Sequence, residues 1–207
     1  MLKEHNIQVC CVISIFMVAW FIVSLAFLPI FFQNYRGFTA EQAGGMVGVT
    51  GLATLFSGFL VPAWSDRVGR KPALILFCFL GVVTSLAALY FNGPLWILSV
   101  LLFIGWSGTG AFPLFMGVVP GETVSRSLAA TSMGLVVCIG ELIGGAAVPP
   151  MAGWIADQTS LAAPVIVVGV CAFCGGVAAL FLKETAPSKI GGIAALGQPI
   201  PPPREAA

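Results

Sequence analysis

Glu141 is the only charged side chain inside the long apolar runs of this 207-residue chain. An ionised carboxylate at the centre of a membrane costs at least about 2.5 kcal/mol on insertion scales, so a role is expected for it. It could take up a proton on one side of a membrane and release it on the other. Alternatively, it could form hydrogen bonds that fix helix packing beside Gly140, Gly144 and Gly145. At a rise of 1.5 Å per residue, we place Glu141 about 20 Å from one membrane face, which is beyond the midplane. This position favours the packing role over proton transfer.

A second group of charges forms a short loop at residues 65–72, between two apolar runs. The loop holds three of the nine Lys and Arg residues of the chain, namely Arg67, Arg70 and Lys71. Asp66 is expected to end one helix and to pair with or cap a neighbour, while Gly69 permits a tight turn. The three basic side chains are expected to lie in the lipid headgroup layer.

A third group of side chains is suited to contact with a solute. It consists of Trp20 and Ser24 in the first apolar run, and of Trp106, Ser107, Thr109, Phe112 and Met116 in the fourth. Hydroxyl groups and aromatic rings can line a cavity between helices. The alternative is a helix kinked at Pro113 whose hydroxyl groups bond to their own backbone.

The elements that carry these residues are membrane-spanning helices. The chain is 58% hydrophobic and 8% charged, with a mean hydropathy of +1.03, which is typical of an integral membrane protein. A crossing needs about 20 apolar residues, and six runs qualify: 9–32, 43–64, 73–91, 95–119, 128–148 and 161–182. The sequence therefore predicts an all-α membrane protein with a short N-terminal segment, 1–8, and a Pro-rich disordered tail, 183–207.

The distribution of positive charge predicts the orientation. Eight basic residues lie on the side of the two termini, namely Lys3, Arg67, Arg70, Lys71, Arg126, Lys183, Lys189 and Arg204, and only Arg36 lies on the other. By the positive-inside rule, both termini of this multi-pass protein are cytoplasmic and the membrane is the cell membrane. We expect Arg36 to form a solvated surface pair with Glu41, and Arg126 to contact lipid headgroups.

The loop sequence Asp66-Arg67-x-Gly69-Arg70-Lys71 resembles the signature of the major facilitator superfamily of secondary transporters. Family members usually carry Gly four residues before the Asp, where this chain has Pro62. Further similarity, to the C-terminal half of the family, lies in 120–124, 140–145, 149–157 and 183–187. The resemblance implies a six-helix half built as two inverted three-helix repeats, with the first and fourth helices facing a central cavity.

The inverted repeat predicts that the second and fifth helices are alike. Both carry glycines at helix-packing spacing, Gly44, Gly48 and Gly51 in one and Gly140 and Gly144 in the other. We expect these two helices to form the face that a partner covers.

The resemblance implies transport of a small organic solute by alternating access, with an organic acid or another metabolite as the substrate and a proton gradient as the driving force of a symporter. The expected partners are lipid, the solute, and a second six-helix half or another copy of the chain; nucleic acid is not expected. We favour the C-terminal part of a split or truncated gene, with a homodimeric half-transporter or a non-transporting membrane scaffold as alternatives.

An enzyme is not expected, because the sole histidine, His5, lies outside the apolar runs and leaves Ser107 without a base. No metal or cofactor is expected either. Cys171 and Cys174 have a zinc-like spacing but lack a second pair of ligands.

Overall fold

The computed structural model describes residues 4–190, and every regular element in that range is helical. Among these described residues, six helices are long and apolar enough to cross a membrane: His5–Tyr35, Ala40–Val68, Arg70–Tyr90, Leu95–Thr123, Arg126–Gln158 and Ala162–Leu180. We call them the first to the sixth span. Five of them are longer than the apolar runs predicted. Among these, the first begins at His5 instead of residue 9, and the fifth continues to Gln158 instead of ending at 148.

Local signals explain where the second span begins and ends. Thr39 and Gln42 form a capping box, in which the Thr39 side chain accepts from the Gln42 amide and the Gln42 side chain accepts from the Thr39 amide. At the other end, Gly69 has a φ of 118°, a conformation that side chains disfavour, and the third span starts at the next residue. Gly69 therefore makes the tight turn that was predicted for it.

The fourth and fifth spans are not regular α-helices. A 3₁₀ segment at Ser107–Ala111 and a π-helical segment at Leu114–Val118 flank Pro113 in the fourth span. A longer π-helical segment, Gly140–Ala147, lies in the fifth. Pro has no backbone N–H to donate, which accounts for the break in the fourth span. Such segments recur at functional sites in helices, and here they carry Thr109 and Glu141.

The spans pack as two equivalent sets of three. The first span packs against the fifth and sixth, the fourth packs in the same way against the second and third, and the third contacts the sixth. Exchanging first with fourth, second with fifth and third with sixth leaves this pattern unchanged. The bundle is thus the predicted pair of inverted three-helix repeats.

One face of the bundle is left open by the second and fifth spans. In an apolar 18-residue stretch of each span, only 28% of the residues are buried in the second and 22% in the fifth, against 44% to 61% in the other four. Gly44, Gly48 and Gly51 have open space in front of them. The fifth-span glycines differ from the expectation: Gly140 lies against Ser14 and Gly144 against the backbone of Ile15, so they allow close packing inside the bundle.

Candidate solute site

Four spans bring polar or aromatic residues to the same depth. Trp20 lies at the middle of the first span, Thr54 of the second, Thr109 of the fourth and Glu141 of the fifth. Glu141 reaches the middle because the fifth span extends to Gln158. Measured along the helix, Glu141 is therefore central, whereas the predicted run 128–148 placed it past the middle. A layer at this depth is where solute sites of secondary transporters are found.

Aromatic rings join the first span to the fourth in this layer. The Trp20 and Trp106 ring centroids are 5.2 Å apart, those of Phe21 and Trp106 5.9 Å, and those of Phe21 and Phe112 5.6 Å. Both indoles are buried, and Trp20 Nε1 donates to the carbonyl of Gly81 at 3.0 Å. Phe21 and Phe112 are only partly buried. The buried Trp pair therefore supports two rings that remain accessible.

Hydroxyl groups join the second span to the fourth in the same layer. Trp106 Nε1 donates to Thr54 Oγ1 at 2.9 Å. Thr109 Oγ1 lies 3.0 Å from Ser57 Oγ and 3.4 Å from Thr54 Oγ1, and it also donates to the Trp106 carbonyl at 2.9 Å. Thr54 itself is exposed on the open face. These bonds fix the second span against the irregular part of the fourth.

A cavity of about 250 Å³ opens between the first, second and fourth spans beside these groups. Its lining consists of Phe21, Thr54, Gly58, Thr109, Phe112 and Pro113. The surface thus combines apolar rings with two hydroxyl groups, a composition that suits a small organic solute.

The structure separates the predicted lining residues. Thr109 and Phe112 line the cavity, and Trp106 lies directly behind it. Ser107 instead borders a different, apolar groove of about 400 Å³, and its hydroxyl donates only to the Ile104 carbonyl of its own helix. Ser107 thus follows the alternative expectation, in which the hydroxyl group bonds to the backbone of its own helix.

The remaining predicted residues lie near this site but outside its lining. Trp20 and Ser24 are fully buried, and Met116 is half-buried against the core. Phe21 and Thr54 were missed because an aromatic residue and a lone Thr in an apolar run carry no sequence signal of their own.

Glu141 lies in the same layer, beside Val18 of the first span. Its carboxylate stands over Gly145, where a Cβ atom would be 2.8 Å from Glu141 Oε2 and 3.4 Å from Val18 Cγ1. Within residues 4–190, the Glu141 side chain is exposed and makes no hydrogen bond or ion pair. The packing role expected from the sequence therefore has no polar contact to rest on inside this bundle.

The charged loop at residues 65–72 forms a network at one end of the bundle. Arg70 is 7% exposed, and its guanidinium pairs with Asp66 and with Glu122 of the fourth span. It also donates to Ser65 Oγ at 2.7 Å. Asp66 thus pairs within its own loop, as predicted. Arg70 is enclosed by protein and does not extend into the headgroup layer, whereas Arg67 is exposed.

Residues 183–190 pack against this network. Glu184 accepts hydrogen bonds from the backbone amides of Arg70, at 2.7 Å, and Lys71, at 3.2 Å. Thr185 Oγ1 donates to Glu122 Oε2 at 2.6 Å. The expectation of a disordered tail is therefore wrong for 183–190, and its remaining part, 191–207, lies outside the described residues. The sequence did not indicate that Glu122 and Glu184 contact Arg70, because each of them is far from Arg70 along the chain.

The opposite end of the bundle holds Arg36, and its contacts differ from the expectation. The guanidinium donates to the carbonyls of Ala88, at 2.9 Å, and Phe91, at 2.7 Å, and to Asn92 Oδ1 at 3.1 Å. Arg36 therefore caps the last turn of the third span and does not pair with Glu41.

Comparison with known proteins agrees with this arrangement. A stretch of 158 residues is 27% identical to an uncharacterized protein of Archaeoglobus fulgidus, covering 74% of this chain and 71% of that protein. The sequence model of the Major Facilitator Superfamily matches residues 9–205. Because that match extends over nearly the whole chain and the six spans form two inverted repeats, this multi-pass membrane protein belongs to the Major Facilitator Superfamily of membrane transport proteins.

Proposed function

We propose that this chain is one six-helix bundle of a secondary transporter that moves a small organic solute by alternating access. In this proposal a second six-helix bundle, either a partner half or another copy of the chain, covers the open face. The observation that carries it is the layer of Phe21, Thr54, Thr109 and Glu141 at the middle of four spans. A solute held there is equally distant from both membrane faces, as alternating access requires.

The open face supports the second part of the proposal. Large apolar side chains project from it, with Phe59 75%, Leu142 64% and Met151 62% exposed. Lipid can cover such side chains, but the glycines of the second span leave room for the close approach of another helix. The cavity and the carboxylate both lie on this side, so a second bundle would enclose them.

We further propose that Glu141 couples transport to a proton gradient. It lies at mid-depth, is accessible, and makes no polar contact within residues 4–190. A carboxylate without a fixed partner can be neutralised by a proton when it faces one side and can release that proton to the other side. The charge network at the Arg70 end is proposed to face the cytoplasm, in keeping with the positive-inside rule.

Disulfide crosslinking tests the second bundle. One of two co-expressed copies carries Gly48→Cys and the other carries Met151→Cys. The two positions lie at similar distances from the Arg36 end of their spans, so the cysteines should form a crosslink. Val170→Cys is the depth-matched control on the sixth span, where it is 54% exposed. A Gly48–Val170 crosslink as strong as the Gly48–Met151 one would contradict the proposed face.

Transport by the reconstituted protein, together with any bundle that co-purifies, tests the activity. Counterflow over a panel of neutral, cationic and anionic metabolites should identify at least one solute. Crosslinked bundles without counterflow of any member would instead favour the scaffold alternative.

Substitutions of Glu141 test proton coupling. Glu141→Gln should abolish uptake driven by a proton gradient, because the amide cannot release a proton. Glu141→Ala should leave thermal stability close to that of the unmodified chain, since the side chain has no partner to lose. Unimpaired proton-driven uptake by Glu141→Gln would remove the coupling role, and a large loss of stability in Glu141→Ala would restore the packing role.

A further inference from the structure

We infer that the solute is a small organic cation, bound between the Phe21–Phe112 cavity and the carboxylate of Glu141. The inference rests on the proposed transport function and adds the chemical class of the substrate.

The charges of the membrane layer favour a cation. Within the described part of the chain, every Lys and Arg lies outside the spans or within one residue of the end of a span, and Glu141 is the only Asp, Glu, Lys, Arg or His near the middle of a span. A charged solute at this depth loses most of its hydration, so a protein group of opposite charge must replace the lost water. The bundle supplies a negative group for that purpose and no positive one.

The rings of the cavity favour the same class. Phe21 and Phe112 line it, and their centroids are 5.6 Å apart. The face of an aromatic ring carries partial negative charge and attracts cations, most strongly where water is excluded. The hydroxyl groups of Thr54 and Thr109 can accept hydrogen bonds from an ammonium group that also bears N–H donors.

The carboxylate and the rings are close enough to act on one small molecule. Val18 borders the space over Gly145 together with Glu141 Oε2. Phe21 follows Val18 by three residues on the same helix, and residues at that spacing are neighbours with Cβ atoms about 5–6 Å apart. Phe21 of the cavity wall and Val18, the residue beside the carboxylate, therefore lie about one helical turn apart along the first span.

An anionic solute, the organic acid expected from the resemblance, would meet this arrangement with the wrong sign. It would face Glu141 and two ring faces without a positive group from this bundle. A neutral solute would leave the carboxylate without a role in recognition. The cation is the class for which the rings, the hydroxyl groups and the carboxylate all contribute.

Binding to the purified full-length chain, with any bundle that co-purifies, tests the inference. The probes are pairs of similar shape that differ in charge: tetramethylammonium and tert-butanol, guanidinium and urea, and propylammonium and propanol, with propionate as the anion. Binding is followed by thermal stabilisation and by the change in tryptophan fluorescence, to which Trp106 behind the cavity contributes as one of five tryptophans. At least one cation should bind about 10-fold more tightly than its neutral counterpart.

Three variants connect that preference to the site. Glu141→Gln should remove it, and Glu141→Asp, which keeps the charge, should retain it. Phe112→Leu keeps the apolar volume but loses the ring face. It should therefore weaken binding of the cation and leave binding of the neutral probe little changed. Equal or tighter binding of the neutral and anionic probes, or binding by none of the cations, would overturn the inference. Counterflow of a neutral or anionic metabolite would do the same while leaving the proposed transport function intact.

Discussion

The indole Nε1 of Trp106 donates a hydrogen bond to Oγ1 of Thr54 at 2.9 Å, and this bond joins the fourth span to the second near the middle of both helices. Thr54 Oγ1 in turn donates to the Thr50 carbonyl at 3.1 Å. The bond fixes the buried Trp106 ring behind the cavity and holds Thr54 at its mouth. The shape of the cavity therefore depends on a contact between two different spans.

Loss of this bond should be measurable. Thr54→Val keeps the side-chain volume but leaves the buried Trp106 N–H without an acceptor, which should lower stability by about 1–3 kcal/mol. Thermal unfolding in detergent measures the loss, and solute binding should weaken in parallel. Ser107→Ala is the matched control, because that hydroxyl bonds only to its own helix. A control that is affected as strongly as Thr54→Val would show that the effect is not specific to the cavity.

Arg36 should stabilise the end of the third span. Arg36→Ala removes three charge-assisted hydrogen bonds to Ala88, Phe91 and Asn92, and the free energy of unfolding should fall by about 1.5–3 kcal/mol. Glu41→Gln alters the residue once expected to pair with Arg36, and its effect should stay within about 0.5 kcal/mol. Thermal unfolding of the two variants distinguishes the observed cap from a surface ion pair, which predicts equal losses.

The contact of Glu184 with the loop at 65–72 should depend on pH. Burial alone would raise the pKa of Glu184, but backbone amides of Ala186, Arg70, Lys71 and Thr185 donate to its carboxylate and hold the pKa below the ordinary value of 4.5. Because the folded pKa is the lower one, the contact contributes its full stability above pH 4.5 and loses it as the pH falls through the folded pKa.

A spin label at Lys189→Cys measures that dependence. Residues 183–190 should be held at neutral pH and become mobile in acid. The second variant Glu184→Gln should make the label mobile at neutral pH as well, since an amide is a weaker acceptor than a carboxylate. A label that is equally held in Glu184→Gln would show that other contacts fix this segment.

Sidedness can be tested with two exposed serines at opposite ends of the bundle. A membrane-impermeant thiol reagent applied to intact cells should label Ser160→Cys and leave Ser127→Cys unlabelled, because the end with the Arg70 network is proposed to be cytoplasmic. Ser65 is unsuitable as a probe, since it is fully buried beside Arg70. The reverse labelling pattern would contradict the proposed orientation.

Several features could be predicted from sequence because each depends on residues close together in the chain. The spans follow from runs of apolar residues that match the thickness of a bilayer, and the turn at Gly69 follows from the residue type that tolerates its φ. The Asp66–Arg70 pair follows from an i,i+4 spacing. The resemblance to the family also rested on this loop, and it indicated the inverted repeat correctly.

The start of the first span was misplaced because its helix begins at His5, before the apolar run. The end of the fifth span was misplaced because Pro149 and Pro150 favour a helix end in a sequence, whereas the structure continues the helix through them to Gln158. That second error moved Glu141 off the middle of its span and favoured a packing role. The sequence alone determined that a carboxylate lies in an apolar run. Its depth and its lack of a partner depend on where the whole helix begins and ends and on what packs beside it.

The candidate site was decided by tertiary structure. Thr54 and Phe21 are ordinary residues of apolar runs, and they become cavity lining only because the second and first spans pack against the irregular segment around Pro113. Ser107 and Thr109 are two residues apart in sequence, yet the local 3₁₀ geometry directs Thr109 to Thr54 and Ser107 to a separate groove. The sequence determines which side chains are present along each helix, whereas the packing of neighbouring spans determines which of them meet, because those contacts join residues far apart in the chain.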